Sequence, residues 1–198
     1  RLIGVNSHIN IYSFDEKINL TDINRLKEGL DSKEYKNIFP SIETQGLIIH
    51  DNISKGVVIR GYEKIHSDHY LYKNIITKKI SSIDFDKIIV GDVLAKNLDL
   101  KLGDKLKLAI PKTDKSLLGN IPRFKTLIVD GIFDFGMYEY DGGLVFVSLE
   151  LAQNLLLIDK NNFNRVEFYL SNPSLVAKFK KYIDLHIRNK NLNFYSLS

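Results

Sequence analysis

The sequence predicts an α+β fold in which the two chain ends form one subdomain and the middle of the chain is inserted into it. Residues 5–61 alternate as strand, helix, strand and strand, and residues 161–198 repeat this texture as strand, helix and strand. Residues 88–160 differ, with short apolar strands separated by tight turns. The predicted segments are therefore 1–87, 88–160 and 161–198.

The first segment begins as a βαββ unit followed by a connector. Its predicted elements are a strand at Val5–Tyr12, a helix from about Asp22 to Leu30, and strands at Ile38–His50 and Gly56–Gly61. Thr21-Asp22 offers an N-cap for the helix, and Asp51-Asn52 supplies the turn between the last two strands. Residues 63–87 are polar and weakly patterned, which predicts a connector.

The middle segment is rich in strands. Its predicted strands are Ile88–Val90, Lys105–Ile110, Thr126–Phe133 and Leu144–Val147. Gly91-Asp92 opens one helix and Ser148 caps another, and Gly142-Gly143 forms a turn between them.

The last segment closes the chain with a β-α-β unit. A strand is predicted at Val166–Leu170, and a helix begins at Ser171-Asn172-Pro173, with proline near its first position. Apolar residues at helical spacing continue that helix to Ile187, and a final strand begins at Asn193.

The composition excludes several classes of protein. The chain has 28 Lys and Arg against 24 Asp and Glu, and both signs share segments such as Asp84–Lys87, whereas nucleic-acid binders cluster their basic residues. There is no cysteine, so disulfides and thiolate metal sites are excluded. No apolar run of about 18 residues occurs, so no membrane span is predicted. The chain begins at Arg1 without a signal sequence, which predicts a piece of a larger protein.

Few residues have a pattern that indicates catalysis or metal binding. His66 and His69 lie three apart in the polar connector, and a solvated loop is favoured because zinc needs three or four fixed ligands. Glu139 and Asp141 could form an acid–base pair, but Gly142-Gly143 favours a turn that leaves both solvated. Phosphate-binding loops and nucleophile elbows are absent from the sequence. The prediction is a non-catalytic binding domain without metal or cofactor, with an enzyme for an acidic substrate as the remote alternative.

The segment between two strands, residues 111–122, is the most informative local feature. Hairpin loops usually have two to five residues, so a longer, non-helical one is unusual. Leu117, Leu118 and Ile121 place apolar side chains on it, which predicts a contact surface. The alternative is that these side chains fold back onto the domain. Basic residues at its base, Lys107, Arg123 and Lys125, could attract an acidic partner.

Several stretches of the chain resemble the LolC/LolE family of lipoprotein-releasing ABC transporter permeases. These stretches are Gly4–His8, Gly56–Gly61, Ile88–Leu100, Gly103-Asp104, Gly119–Arg123, Val129–Asp141 and Phe146–Leu149. The most specific is Gly-Met-Tyr-Glu-Tyr-Asp at residues 136–141. They follow the order expected for the family and cover most of the chain.

The resemblance implies a MacB-like periplasmic core, with a Porter subdomain from residues 1–87 and 161–198 and an inserted, β-rich Sabre subdomain at residues 88–160. It implies an inner-membrane protein of a Gram-negative bacterium, of which this is the periplasmic segment between the first two transmembrane helices. A separate LolD-like subunit would hydrolyse ATP. The other implied partners are a second permease subunit, of LolC or LolE type or a second copy, and the lipoprotein cargo; no nucleic acid is expected.

The resemblance also gives the long hairpin a role, as a Hook that captures a LolA-like periplasmic chaperone beside a polar Pad. The Hook would correspond to residues 111–122, and the polar and basic Pad to Lys107, Phe124 and Lys125, of which Phe124 departs from the polar residue expected there. The predicted chaperone-binding residues are Lys107, Pro111, Leu117, Leu118, Gly119, Ile121, Pro122, Arg123, Phe124 and Lys125. Two questions stay open. The chain could instead be a mechanotransmission domain of another MacB-like permease, and a lipoprotein-releasing permease could be of the LolC, LolE or combined type.

Overall fold

The computed structural model describes residues 7–15, 17–110 and 123–198. The described elements are, in chain order, β1 (Ile9–Ser13), β2 (Ile18–Asn19), α1 (Leu20–Glu28), β3 (Tyr35–His50), β4 (Ile53–Tyr62), α2 (Tyr70–Asn74), β5 (Lys87–Gly91), α3 (Asp92–Asn97), β6 (Lys105–Ile110), β7 (Arg123–Phe133), α4 (Tyr138–Gly143), β8 (Leu144–Ser148), α5 (Leu149–Leu156), β9 (Asn162–Phe163), β10 (Arg165–Leu170), a 3-10 helix (Pro173–Leu175), α6 (Val176–Asn189) and β11 (Phe194–Leu197). The chain divides into two compact units. The terminal unit is Arg1–Ile42 with Ile158–Ser198, and the middle unit is Glu43–Leu157.

In the terminal unit, the two ends of the chain share one antiparallel sheet. Its strand order is β11-β1-β10-β3, and β1 pairs with β10 on one side and β11 on the other. Ile9 and Ile11 of β1 are fully buried opposite Phe168 and Val166 of β10. Alternate residues of a strand point to the same face, so these four side chains form one apolar side of the sheet.

The helices of the terminal unit are fixed by specific hydrogen bonds. The Asn19 side chain accepts from the Asp22 backbone N–H, and the Asp22 carboxylate accepts from the Asn19 N–H, which is a capping box. The prediction of an N-cap at Thr21-Asp22 was therefore wrong, since α1 begins two residues earlier. Tyr182 of α6 donates its hydroxyl hydrogen to the Leu26 carbonyl of α1 over 3.3 Å.

Within the described ranges, no helix combines the length and apolar character needed to cross a bilayer.

The terminal unit also contains a buried ion pair, formed by Arg165 and Glu167 on β10. Their side chains are 1% and 0% exposed, and Nη2 of Arg165 lies 3.1 Å from Oε1 of Glu167. The same Nη2 donates to Oδ1 of Asn10 over 2.7 Å, and the guanidinium lies 5.8 Å from the centre of the Tyr12 ring. Charged side chains are almost never fully buried unless they are paired, and these two are paired with each other.

In the middle unit, six strands form a closed ring. The order is β3-β4-β8-β5-β7-β6, and a pairing of β3 with β6 closes it. The pairs β4–β8 and β5–β7 are parallel, whereas β5–β8 and β6–β7 are antiparallel. Ile88, Ile89 and Val90 of β5 are fully buried, which explains why this strand is a continuous apolar run instead of an alternating one.

The boundaries of the units differ from the segments predicted from the sequence. The first break falls between residues 42 and 43 instead of between 87 and 88, and the second falls after 157 instead of after 160. The second half of β3 pairs with β4 and β6, so it belongs to the middle unit. The predicted connector contains α2, and Ile75 after it bridges to Phe133 of β7. Polar composition hid these contacts from the sequence analysis.

Candidate functional site

The strands β6 and β7 form the base of the long hairpin. Six of the ten predicted chaperone-binding residues lie outside the described residues. These are Pro111, Leu117, Leu118, Gly119, Ile121 and Pro122. The other four, Lys107, Arg123, Phe124 and Lys125, lie on β6 and β7.

Two of these four residues share one face of the β6–β7 ladder. Lys107 lies opposite Thr126, and Ala109 lies opposite Phe124. Directly opposed residues of an antiparallel pair point to the same side, and residues two apart on a strand do so as well. Lys107 and Phe124 therefore share a side, where Lys107 is exposed and Phe124 is 54% exposed.

Lys125 lies on the opposite side of the ladder. It pairs in register with Leu108, which is fully buried. Its Nζ lies 4.5 Å from the centre of the Phe85 ring, which is a cation–π contact. The structure therefore does not place Lys107, Phe124 and Lys125 on a single surface, although the sequence predicted one Pad from all three.

Arg123 has a partner within the middle unit. Its Nη1 donates to the carbonyl oxygen of Leu155 over 2.5 Å, at the C-terminal end of α5. The last carbonyls of a helix have no partner within the helix and carry partial negative charge, so a guanidinium there stabilises the helix. Arg123 thus attaches the start of β7 to α5.

A third strand extends the face that carries Lys107 and Phe124. Leu47 of β3 lies opposite Ala109, and Ile49 lies opposite Lys107. Leu47 is 41% exposed and Ile49 is half-buried. We name this surface the β3–β6–β7 face. Its residues are Leu47, Ile49, Lys105, Lys107, Phe124 and Thr126.

The β3 part of this face was not predicted from the sequence. The strand itself was predicted, but its pairing with β6 was not, because the pairing joins residues about 60 positions apart along the chain. Gly46 allows the close approach of the two strands, since a Cβ there would lie 2.6 Å from the Ala109 carbonyl oxygen. The sequence did contain a signal for this face. Leu47, Ile48 and Ile49 are all apolar, so a strand that buries Ile48 on one side places Leu47 and Ile49 on the other.

Three carboxylates gather elsewhere in the middle unit. Oxygens of Asp92, Asp134 and Asp141 lie within 4.8 Å of one another. Asp141 is 2% exposed, so the prediction of a solvated turn there was wrong. Its Oδ1 accepts from the N–H of Phe135 and its Oδ2 from that of Met137, both over 2.8 Å. These bonds hold the segment between β7 and α4.

The surroundings of Asp141 change its acidity. Burial raises the pKa of Asp141 above its ordinary value, and the negative charges of Asp134 and Asp92 act in the same direction. The two backbone N–H donors oppose this by stabilising the carboxylate. Lys96 offsets the charge of Asp92 through an ion pair of 2.7 Å.

His69 lies in a buried aromatic group of the middle unit. The prediction of a solvated loop was wrong at this residue, because its side chain is only 2% exposed. Nδ1 accepts from the Leu71 N–H over 3.2 Å and so caps α2. The ring contacts Tyr62 edge-on at 4.8 Å between centroids and Tyr70 at 4.3 Å. A cap and two ring contacts make His69 a structural residue.

The amino-acid sequence is similar to known transport proteins. The lipoprotein-releasing system transmembrane protein LolC of Xylella fastidiosa is 34% identical over 86 residues, which are 41% of this chain and 21% of that protein. The protein of the same name from Neisseria meningitidis serogroup B is 30% identical over 126 residues, which are 61% of this chain and 30% of that protein. The chain thus spans less than a third of the length of the curated relatives it matches. No family model matches the chain.

The fold is similar to two solved structures over nearly the whole chain. The periplasmic region of MacB from Actinobacillus actinomycetemcomitans has a TM-score of 0.61 at 12% identity, covering 100% of this chain and 92% of that one. This chain therefore has the MacB-like periplasmic fold, and its sequence is similar to LolC proteins. The extracellular domain of the noncanonic ABC-type transporter YknZ from Gram-positive bacteria has a TM-score of 0.59 at 15% identity, covering 96% and 99%.

The likeness to these solved structures confirms the fold class predicted from the sequence, an α+β MacB-like periplasmic core. The resemblance stated from the residues is confirmed as well. Its most specific stretch, residues 136–141, forms the turn and the start of α4 that the Asp141 carboxylate holds. Gly136 has a φ of +70°, a conformation that favours glycine.

Proposed function

We propose that this chain is the periplasmic domain of a lipoprotein-releasing ABC transporter permease in the inner membrane. It would dock a LolA-like periplasmic chaperone and couple ATP-driven extraction of lipoproteins to their transfer. Its partners would be a second permease subunit of LolC or LolE type or a second copy, a LolD-like ATPase reached through the full-length permease, and the lipoprotein cargo. The observation that carries the proposal is the 30–34% identity to LolC proteins, combined with the MacB-like fold.

The proposed chemistry is binding without catalysis. The curated relatives are named as transmembrane proteins of a lipoprotein-releasing system, and ATP hydrolysis would take place on the separate subunit. The buried Asp141 carboxylate is occupied by two backbone N–H groups, which supports a structural role for it. No cofactor is needed for the proposed activity.

The proposed docking element is the Hook, residues 111–122, with the exposed Lys107 and Phe124 at its base. A chaperone groove that accepts acyl chains is apolar, so an inserting partner needs apolar side chains, which Leu117, Leu118 and Ile121 would supply. The register of β6 and β7 supports the proposal, because it fixes both strands from which the Hook extends.

The test is the affinity of the chain for the cognate chaperone, measured by calorimetry. Changing Leu117 and Leu118 together to Asp is expected to weaken binding at least about 100-fold, or about 2.7 kcal/mol, because burying one Leu contributes about 1.5–3 kcal/mol. The matched control is the same double change at Leu102 and Leu185, which are 50% and 44% exposed. If the Hook variant folds and binds the chaperone with unchanged affinity, the Hook is not the docking element. If the original chain does not bind the chaperone, the chaperone-docking role is wrong.

A second candidate function is a mechanotransmission domain of another MacB-like permease, without lipoprotein cargo. The observation in its favour is the fold, which is similar to the periplasmic region of MacB over 100% of the chain. Under this reading the chain would not bind the lipoprotein chaperone at all. The same calorimetric titration therefore separates the two candidates.

A further inference from the structure

We propose that the exposed side of helix α6, in the terminal unit, binds the anionic headgroups of a phospholipid membrane. The central residues of this surface are Lys181, Leu185 and Arg188, and we name them the α6 face. The inference rests on the membrane location in the proposed function, and it adds a lipid surface to the partners given there.

The net positive charge of the chain is concentrated on α6. The chain has 28 Lys and Arg against 24 Asp and Glu, which gives a net charge of +4. Residues 176–190, which are α6 and its C-cap Lys190, contain five basic residues and one acidic residue, Asp184, and their net charge is also +4. The rest of the chain is therefore neutral as a whole, and α6 is the segment that an anionic surface attracts.

Ion pairs neutralise only part of the charge on α6. Lys178 pairs with Glu34, and Nζ of Lys180 lies 2.9 Å from Oδ2 of Asp184. The other three cations have no ion pair among the described residues. These are Lys181, Arg188 and Lys190.

The segments beside α6 do not cancel this charge. Residues 20–36, which contain α1 and lead to β3, hold four basic and four acidic residues, with Glu34 among the acidic ones. At the other end of α6, the carboxylate of Asp15 interacts with Asn193 and with the charge of Lys17. The surroundings of the α6 face are therefore close to neutral, and the face itself is positive.

The α6 face is a stripe along the exposed side of the helix. Phe179 and Ile183 are buried on the other side. Lys181, Leu185 and Arg188 are separated by four and three positions, so they are neighbours on the helix surface, and all three are exposed. At 1.5 Å per residue, Lys181 and Arg188 are about 10 Å apart along the helix axis. A flat anionic surface therefore meets both cations at once, with Leu185 between them.

The composition of this face favours a membrane over a protein as its partner. Protein interfaces are enriched in aromatic residues and depleted in lysine. The structure describes α6 in full, and none of the exposed residues of this helix is aromatic. Each Lys or Arg beside an anionic membrane raises the binding constant about fivefold. Leu185 is 44% exposed among the cations, which places an apolar side chain where it would enter the headgroup region.

The first experiment measures co-sedimentation of the chain with lipid vesicles at low salt. Vesicles of equal parts phosphatidylglycerol and phosphatidylcholine are expected to bind the chain, and vesicles of phosphatidylcholine alone are not. Changing Lys181 and Arg188 together to Glu is expected to weaken binding at least about tenfold. Added salt is expected to weaken the binding of the original chain as well, because it screens exposed charges.

The matched control changes two exposed lysines of the middle unit, Lys64 and Lys101, to Glu. It alters the net charge by the same amount and is expected to weaken binding by at most about threefold. Circular dichroism and urea unfolding verify that both double variants fold. Equal losses in the two folded variants would show that net charge and not the α6 face binds the vesicles, and would overturn the inference.

A fluorescent probe keeps the inference testable if the charge reversal on α6 does not fold. The chain has no tryptophan, so Leu185→Trp introduces a single indole on the α6 face. Its emission is expected to shift to shorter wavelength with phosphatidylglycerol vesicles, because the ring enters a less polar environment. Leu102→Trp, at a position that is 50% exposed in the middle unit, is expected to show no shift. An unchanged spectrum of Leu185→Trp would overturn the inference.

The outcomes separate this inference from the proposed function. If the chain binds the chaperone but not the anionic vesicles, the inference is wrong and the proposed function stands. If the chain binds the vesicles through the α6 face but does not bind the chaperone, the chaperone-docking role fails and the inference stands. If polyglutamate binds through the α6 face while the vesicles do not, the face is a site for an acidic protein and the inference is overturned.

Discussion

Replacing Glu167 with glutamine is expected to lower the free energy of unfolding of the terminal unit by about 3 kcal/mol. Glutamine keeps the shape of the side chain and removes its charge. Arg165 then remains charged at a position that is 1% exposed. Breaking a buried ion pair from one side costs more than deleting the pair, because the charge that remains in the interior loses its carboxylate partner.

The magnitude follows from the geometry of the pair. At the 3.1 Å separation of Nη2 and Oε1, and with an effective dielectric constant of about 20, the lost attraction is about 5 kcal/mol. The side-chain oxygen Oδ1 of Asn10 still accepts from Nη2 over 2.7 Å, and the Tyr12 ring still lies 5.8 Å from the guanidinium. These contacts, with the remaining amide oxygen at position 167, reduce the loss toward the lower end of the usual range of about 3–5 kcal/mol.

Urea unfolding followed by far-ultraviolet circular dichroism measures this loss. Glu34→Gln is the matched control, because Glu34 pairs with Lys178 at the surface of the same unit, where side chains are 24% and 65% exposed. Such a pair contributes at most about 1 kcal/mol. A double change of Arg165 to Met and Glu167 to Leu should cost less than Glu167→Gln alone. The reasoning is refuted if Glu167→Gln costs no more than the surface control.

Three further predictions concern the middle unit. Gly91→Ala is expected to cost about 1–3 kcal/mol, or more if the backbone cannot shift, because the new Cβ would lie 2.1 Å from the Asp141 carbonyl oxygen; calorimetric melting checks it. Asp134→Asn is expected to lower the pKa of Asp141 towards its ordinary value, because one of the negative charges that raise it is removed; carbon-detected NMR titration of the carboxyl measures this. An unchanged titration would show that Asp134 does not act on Asp141. Arg123→Ala is expected to cost about 1.5–3 kcal/mol by removing the charged donor to Leu155, and it should lower the melting temperature even without a chaperone present.

Local pattern predicted the strands of the middle unit well. Lys105–Ile110 was predicted with the bounds that β6 has, because its first residues alternate between exposed lysines and buried leucines. β7 begins at Arg123, three residues before the predicted start at Thr126, because the ladder with β6 continues to the pair Ile110 and Arg123. Alternation identifies a strand, but the partner strand determines how far it extends.

Side-chain contacts that form only in the folded chain account for what could not be predicted from the sequence. Glycine and aspartate at residues 139–143 are typical of a turn, yet α4 forms there because Asp141 accepts two backbone hydrogen bonds from the preceding segment. His69 follows the polar residues 66–68 in the sequence, but its ring contacts Tyr62, seven positions earlier, as well as its neighbour Tyr70. Composition describes a residue's neighbours along the chain, and burial depends on its neighbours in space.

The division of the candidate site into two sides has the same origin. Lys107 and Lys125 are both cations at the base of one hairpin, and the sequence grouped them for that reason. Only the register shows that Lys107 opposes Thr126 while Lys125 opposes Leu108. The register decides on which side of the ladder each residue lies, since a shift of one residue moves every side chain of a strand to the other face.

The shared sheet of the terminal unit has a consequence for the order of folding during synthesis. The middle unit is one continuous stretch, Glu43–Leu157, whereas β1 has to wait for β10 and β11. The hydrogen bond from Arg165 to Asn10 spans 155 positions. Domains fold as units as the chain emerges during synthesis. The middle unit, although it begins later in the chain than the terminal unit, is therefore the first that can be completed. Once folded, it brings the two ends closer together and reduces the entropy lost when β1 meets β10. A released chain that ends at residue 157 is therefore expected to hold a folded middle unit and a β1 segment that is still open to protease.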